Sequence, residues 1–161
     1  MANFNEHALE MSIMQLFKEQ GYTYISGDQI HRERTEVLLA DDLKQYLYSR
    51  YAKDGITPSE VDSILLMLRN TSGTLYEANK AIYKMLCDGF IFNREDRTQK
   101  DIFIELIDFE NPENNIFKAV NQFEIVGMNN QMRIPDGIVF VNGIPVVVLE
   151  FKSAIKENTT I

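Results

Sequence analysis

Apolar side chains in the first half of the chain recur every three or four residues, the spacing that places them on one face of a helix. This pattern predicts four helices. Two of them begin with a capping box, a Thr followed three positions later by a Glu. The predicted helices are Glu6 to Gln20, Asp41 or Asp42 to Tyr51, Glu60 to Asn70 after the Thr57 cap, and Thr74 to Asp88.

The second half of the chain changes to the denser apolar pattern of strands separated by turn residues. Asn142-Gly143 is a strong hairpin signal, so the segments on either side of it are predicted to pair. The predicted strands are Ile102 to Phe109, Phe117 to Val126, Asp136 to Val141 and Ile144 to Phe151. No linker separates the two halves. We therefore expect an α/β protein, mainly helical first and strand-rich second, with residues 1–161 forming a single domain.

Composition narrows the function classes. The 161 residues are 45% hydrophobic and 25% charged, with a net charge of -8, which is typical of a globular protein and unfavourable for an autonomous DNA binder. One cysteine and two histidines exclude an internal disulfide and a Cys- or His-rich zinc site, and we expect Cys87 to be a buried, inert thiol. No signal peptide or membrane-length apolar run is present, so we expect a cytoplasmic protein without a membrane partner.

The residues that could carry chemistry lie on the two arms of the predicted hairpin: Asp136 on one arm, Glu150 and Lys152 on the other. Glu150 and Lys152 are two apart, so in a strand their side chains leave the same face. Two carboxylates suit Mg²⁺, which could polarise a phosphodiester and activate a water, while Lys152 orients that water or stabilises developing charge. As a bare pattern, the same residues fit a structural ion pair equally well.

Strand register provides a geometric test of this site. If Asn142-Gly143 formed a simple two-residue turn, Asp136 would lie opposite Leu149 and point away from the face of Glu150. A shared metal requires a slip of one residue. We therefore predict a bulge, at Asp136-Gly137 because glycine tolerates unusual dihedrals.

Other charged positions give weaker signals. Glu10 lies at the edge of the apolar stripe of the first helix, where a solvated flank is the more common explanation. Arg32-Glu33-Arg34 could contact DNA, but a solvated loop is again the commoner reading. The chain has no Gly-x-x-x-x-Gly-Lys loop and therefore no ordinary phosphate-cradling ATP site.

Several longer segments together resemble one family, the N-terminal nuclease region of the R (restriction) subunit of type I restriction-modification enzymes. The likeness extends over nearly the whole chain and is most specific in its last part. The segments that carry it are Glu36 to Leu39, Asn79 to Leu86, Leu106 to Pro112, Asn115 to Phe117, Val120 to Phe123, Arg133 to Pro145 and Val148 to Lys152.

The resemblance implies a restriction-endonuclease-like fold, a mixed β-sheet flanked by helices. It also implies a type I site-specific deoxyribonuclease that cleaves double-stranded DNA with Mg²⁺. Carried over by position, Asp136 and Glu150 would be metal ligands and Lys152 the catalytic lysine. Glu10 matches the place where some relatives of the fold carry a further acidic, metal-binding group.

The resemblance further implies a larger assembly. An ATP-driven helicase motor would follow the nuclease region, so ATP would bind only there, and modification and specificity subunits would be partners. The family's Gln-x-x-x-Tyr element would begin beyond Ile161, so we expect the isolated chain to be a fragment whose own activity is in doubt. Two alternatives stay open: a catalytically incomplete docking module of the same complex, or a stand-alone nuclease of the same fold.

Overall fold

The computed structural model describes residues 6–127 and 130–152. Contacts between residues group the chain into two compact units. The sheet unit is formed by residues 1–39 and 117–161, and the helical unit by residues 40–116. The expectation of a single domain over residues 1–161 stays a prediction.

The sheet unit contains one helix and a four-stranded sheet in the order β1-β4-β7-β8. β1 runs parallel to β4, whereas β4, β7 and β8 are successively antiparallel. The sheet is therefore mixed. A separate two-stranded ribbon pairs β5 with β6. The elements are α1 (Glu6–Glu19), β1 (Thr23–Ser26), β4 (Phe117–Asn121), β5 (Ile125–Val126), β6 (Met132–Arg133), β7 (Gly137–Val141) and β8 (Ile144–Leu149).

β7 is one of the two inner strands of this sheet, and its residues are all buried. Its side chains join a core formed by Leu39, Val120, Phe123, Ile138 and Phe140. The rings of Phe123 and Phe140 lie 5.3 Å apart between centroids. Burial on both faces explains why this segment reads as a continuous apolar run. β8 lies at the edge of the sheet, and its Val146–Val148 stretch is exposed.

The helical unit contains three helices and a two-stranded antiparallel hairpin. Both predicted capping boxes are present, because Thr57 accepts from the backbone of Glu60 and Thr74 from that of Glu77. Apolar side chains of the first two helices, such as Leu43 and Ile64, are fully buried. The elements are α2 (Ala40–Arg50), α3 (Pro58–Arg69), α4 (Leu75–Asp88), β2 (Phe90–Phe92) and β3 (Ile102–Ile104).

The helix-first, strand-later α/β class is confirmed, but all four predicted strands are shorter: β7 begins at Gly137, β8 ends at Leu149, and β3 and β4 lose more. β3 ends at Ile104 because the next backbone groups bond to side chains: Glu105 N donates to Tyr51 Oη at 2.6 Å and Glu105 O accepts from Tyr46 Oη at 3.1 Å. β4 ends at Asn121 because Gln122 adopts a left-handed φ of 52°. Three very short strands, β1, β2 and β6, were not predicted.

Cys87 is exposed, so the expectation of a buried thiol was wrong. Cys87 is exposed because it lies on α4, a helix without a buried residue. The structure describes every residue of this helix. Tyr76 and Tyr83 on this helix are also exposed. Within residues 6–127 and 130–152, no helix combines the length and apolarity needed to cross a membrane.

Candidate functional site

The register between β7 and β8 changes partway along the pair. Gly137 lies opposite Leu149 and Val139 opposite Val147, but Phe140 lies opposite Pro145. One residue of β8, Val146, is therefore extra, and the predicted one-residue slip is confirmed. Its predicted location was wrong. The irregularity falls beside Pro145, which has no N–H to donate to the ladder and so favours a bulge.

This slip decides how the two predicted carboxylates are placed. The slipped register pairs Gly137 with Leu149, so Asp136 comes directly before this pair and Glu150 directly after it, at the same end of the hairpin. Asp136 is half-buried, and its Oδ2 accepts a hydrogen bond from Phe151 N at 2.5 Å. Glu150 is exposed. The hairpin therefore brings Asp136 to the same end of the sheet as Glu150.

Glu10 on α1 is buried, with 6% of its surface exposed, so the expectation of a solvated flank was wrong. Its Oε1 accepts from Asn121 Nδ2 at 2.7 Å and from Gln122 Nε2 at 3.2 Å. Its Oε2 lies 3.6 Å from His7 Nδ1. In the β4–β7 register Val120 lies opposite Ile138, so Asn121, the last residue of β4, lies at the end of β7 that Asp136 precedes. Glu10 is therefore held at the sheet end that carries Asp136.

Sequence reasoning missed the residues that hold Glu10. Asn121 is 4% exposed, and its Oδ1 accepts from Tyr24 Oη at 3.1 Å. Two consecutive amides directly after a buried strand, Asn121-Gln122, were the available signal. The left-handed turn at Gln122 also needs Gly27, because a Cβ on Gly27 would lie 2.4 Å from the Gln122 carbonyl oxygen.

Lys152 is exposed and lies beyond β8, which ends at Leu149 rather than at Phe151. The argument that Glu150 and Lys152 share a strand face therefore does not apply. In the part of the chain that the structure describes, no three His, Cys, Asp or Glu side chains gather closely enough to hold a metal. The roles of Asp136, Glu150, Lys152 and Glu10 stay predictions.

The donor set nevertheless fits a hard divalent cation. Mg²⁺ commonly takes only one or two protein carboxylates and keeps water at its other positions, and the β7–β8 hairpin carries two, Asp136 and Glu150, at one end. A third, Glu10, is buried without a lysine or arginine partner among the described residues. An isolated buried carboxylate is costly, so a cation at this end of the sheet would offset that cost.

Arg32 and Arg34 lie in a loop, as expected; Arg34 is exposed to solvent, whereas Arg32 is half-buried. The guanidinium of Arg32 stacks 3.4 Å from the Phe123 ring centroid and donates to the carbonyl oxygens of Glu36 and Glu124. Burial lowers the pKa of Arg32. Arg34 Nε pairs with Glu124 Oε2 at 2.9 Å. These arginines line a small cavity of about 240 Å³, and their bonds are internal to the fold.

The sheet unit thus defines a mixed α/β fold with acidic side chains at one end of its sheet. The chain belongs to the family described as the type I restriction enzyme R protein N terminus, whose model matches residues 3–160. The resemblance seen in the sequence is confirmed.

Two relatives align with nearly the whole chain. It is 32% identical over 164 residues to the type I restriction enzyme HindI endonuclease subunit of Haemophilus influenzae, covering 96% of this chain and 15% of that protein. It is 34% identical over 170 residues to the putative type I restriction enzyme MjaIXP endonuclease subunit of Methanocaldococcus jannaschii, covering 99% of this chain and 16% of that protein. The chain thus spans about one sixth of the length of these relatives.

Proposed function

We propose that this chain is the Mg²⁺-dependent endonuclease region of a type I restriction enzyme R subunit and hydrolyses phosphodiester bonds of double-stranded DNA. The observation that supports the proposal is the slipped β7–β8 register, which pairs Gly137 with Leu149, the residues that adjoin Asp136 and Glu150 in the chain. A regular two-residue hairpin would have separated these carboxylates. The endonuclease subunits among the relatives support the reaction class.

Each site residue has a proposed role in metal binding or catalysis. Asp136 and Glu150 would hold the cation, and because the three carboxylates do not form one cluster in the described residues, Glu10 on α1 would act on it through the water that Mg²⁺ retains. The bond from Phe151 N to Asp136 Oδ2 fixes one carboxylate against the backbone that carries the other. Bound Mg²⁺ supplies Lewis acidity toward the phosphodiester and an activated water. Lys152 stabilises negative charge that develops on the phosphate.

The wider context follows from the relatives. With about one sixth of their length represented here, the rest of such a subunit has room for an ATP-driven motor. We propose that ATP acts only through that motor and that modification and specificity subunits are the protein partners. The acidic net charge of -8 agrees with DNA being held mainly by those other parts. We also propose that the protein is cytoplasmic and that residues 1–161 form a single domain.

Calorimetry with Mg²⁺ or Mn²⁺ tests the site directly. Asp136→Asn removes the ligand charge but keeps an oxygen that can accept from Phe151 N. We expect it to weaken metal binding by more than about tenfold, since even outer-shell changes cost roughly 10–100-fold. Asp28→Asn, the same change elsewhere in the sheet unit, is the control. Equal metal affinity in wild type and Asp136→Asn would contradict the proposal.

A docking role is the second candidate, and the exposed surface of α4 favours it. Leu75, Tyr76 and Tyr83 are each largely exposed, an uncommon state for large apolar side chains on one short helix. This role predicts that Tyr83→Ser weakens assembly with the other subunits while metal binding is unchanged. Unchanged assembly would argue against it.

A further inference from the structure

We infer that Tyr24 and Asn121 are positioning residues that orient the Glu10 carboxylate toward the cation. This inference rests on the proposed function, because it assigns work to residues around the same metal site. Neither residue belongs to the acidic and basic set that the sequence singles out. Both lie in the sheet unit, on β1 and at the end of β4.

The chain of contacts runs in one direction. Tyr24 Oη donates to Asn121 Oδ1 at 3.1 Å, and Asn121 Nδ2 donates to Glu10 Oε1 at 2.7 Å. An amide has one acceptor and one donor end, and a tyrosine hydroxyl at the acceptor end favours the orientation that points the NH₂ group at Glu10. A carboxylate only accepts, so Glu10 takes the NH₂ end of the Asn121 amide, and the Tyr24 hydroxyl secures this orientation by donating to the oxygen end.

The two oxygens of Glu10 are therefore unequal. Oε1 accepts two amide donors, from Asn121 and Gln122, whereas Oε2, among the residues that the structure describes, faces only His7 Nδ1 at 3.6 Å. Oε2 is the oxygen with capacity left for a cation. Hydrogen bonds to a ligating carboxylate fix its orientation, which is the role that outer-shell partners play at metal sites.

Tyr24 is held both by its strand and by a contact to its ring. β1 and β4 pair in parallel, with Ser26 opposite Asn121, so Tyr24 and Asn121 belong to one hydrogen-bonded ladder. Lys18 Nζ lies 4.8 Å from the centroid of the Tyr24 ring, which holds the ring by a cation–π contact. Removing the hydroxyl alone leaves this ring contact in place.

Tyr24→Phe is the sharpest variant because it deletes only the hydroxyl. We expect Mn²⁺ binding to the full chain, measured by calorimetry, to weaken by about tenfold, with the thermal midpoint in EDTA unchanged. Asn121→Ser is expected to lose at least as much affinity. Tyr22→Phe is the control, since Tyr22 packs between the Phe17 and Phe117 rings in the same unit.

A double-mutant cycle separates positioning from general damage. If Tyr24 acts through Glu10, Tyr24→Phe causes no further loss of Mn²⁺ affinity in a Glu10→Gln background. An equal loss in both backgrounds overturns the inference, and so does wild-type affinity in Tyr24→Phe. If Asp136→Asn abolishes binding while Tyr24→Phe does not change it, the inference fails and the proposed function stands. If Asp136→Asn binds normally, both fail.

Discussion

In the helical unit the buried carboxylate of Glu60 meets a buried guanidinium, whereas in the sheet unit the buried carboxylate of Glu10 meets two neutral amides. Glu60 is 2% exposed, and its two oxygens accept from Arg94 Nε and Nη2, both at 2.9 Å. Glu10 is nearly as buried, yet among the described residues its one ion-pair neighbour is His7, at 3.6 Å. One carboxylate is neutralised by the fold, and the other is not.

A second acid in the helical unit follows the pattern of Glu60. Asp108 accepts from Asn114 Nδ2 and Asn111 N, and Arg50 Nη1 lies 2.9 Å from its Oδ2. These hydrogen bonds, with the nearby Arg50 charge, lower the pKa of Asp108. The bond from Arg94 likewise lowers the pKa of Glu60. Both buried acids of the helical unit thus face an arginine, whereas the buried acid of the sheet unit faces two amides and His7.

The largest effect on stability is expected from removing the charge of Glu60. Glu60→Gln leaves the buried Arg94 guanidinium without its anion, so we expect the free energy of unfolding to fall by roughly 3–5 kcal/mol, as for other broken buried ion pairs. Urea denaturation followed by circular dichroism measures the change.

Glu77→Gln is the matched control, because Glu77 also completes a capping box but forms no ion pair with an arginine in the described residues. We expect a much smaller loss there, since Gln serves the same capping position. Equal losses at Glu60 and Glu77 would show that the cap, not the Arg94 pair, stabilises α3.

An intermediate effect on the free energy of unfolding is expected when the pH is lowered. Because the pKa of Glu60 and that of Asp108 are lower in the folded chain, their stabilisation is complete above the ordinary values of 4.5 and 3.8 and is lost as the pH falls through the folded values. We expect the free energy of unfolding to fall below about pH 4.5, and to fall less steeply in Glu60→Gln. Identical slopes for the two proteins would remove Glu60 from the explanation.

Much of the fold could be predicted from local signals. The capping boxes at Thr57 and Thr74 and the Asn142-Gly143 turn act over a few residues, so the sequence shows them directly. β1 could not be predicted, because a four-residue strand has little period of its own and is defined by pairing with β4, far along the chain. The end of β3 could not be predicted either, because it depends on Tyr46 of α2 and on Tyr51 directly after that helix, both far from β3 in the sequence.

The candidate site was predictable only in part. Register arithmetic required a slip to bring Asp136 opposite Glu150, and Pro145 was a visible reason for its position. The burial of Glu10 was not visible, because an acid at the edge of an apolar stripe looks solvated until the end of β4 is placed beside it. Tyr24 and Asn121 are uncharged and far apart in sequence, so only the folded chain brings them together.

The smallest effect on stability, and the most informative for the comparison, is expected from Glu10→Gln. The new amide can still accept from Asn121 and Gln122 through its oxygen, while the buried charge is removed. In EDTA we expect the free energy of unfolding to stay the same or to rise by up to about 1 kcal/mol, because a buried carboxylate without a cation is costly. The same substitution that destabilises the helical unit is thus expected to be harmless in the sheet unit.

Adding Mn²⁺ should make wild type more stable than Glu10→Gln, the reverse of the order expected in EDTA. A ligand at one hundred times its dissociation constant stabilises the folded state by about 2.7 kcal/mol, so wild type should gain this stability and Glu10→Gln should gain less. Glu19→Gln, on the exposed end of the same helix, should behave like wild type in both conditions. If Glu10→Gln loses several kcal/mol in EDTA, the Glu10 charge stabilises the apo fold as that of Glu60 does. The contrast between the two units would then disappear, because both buried acids would be structural.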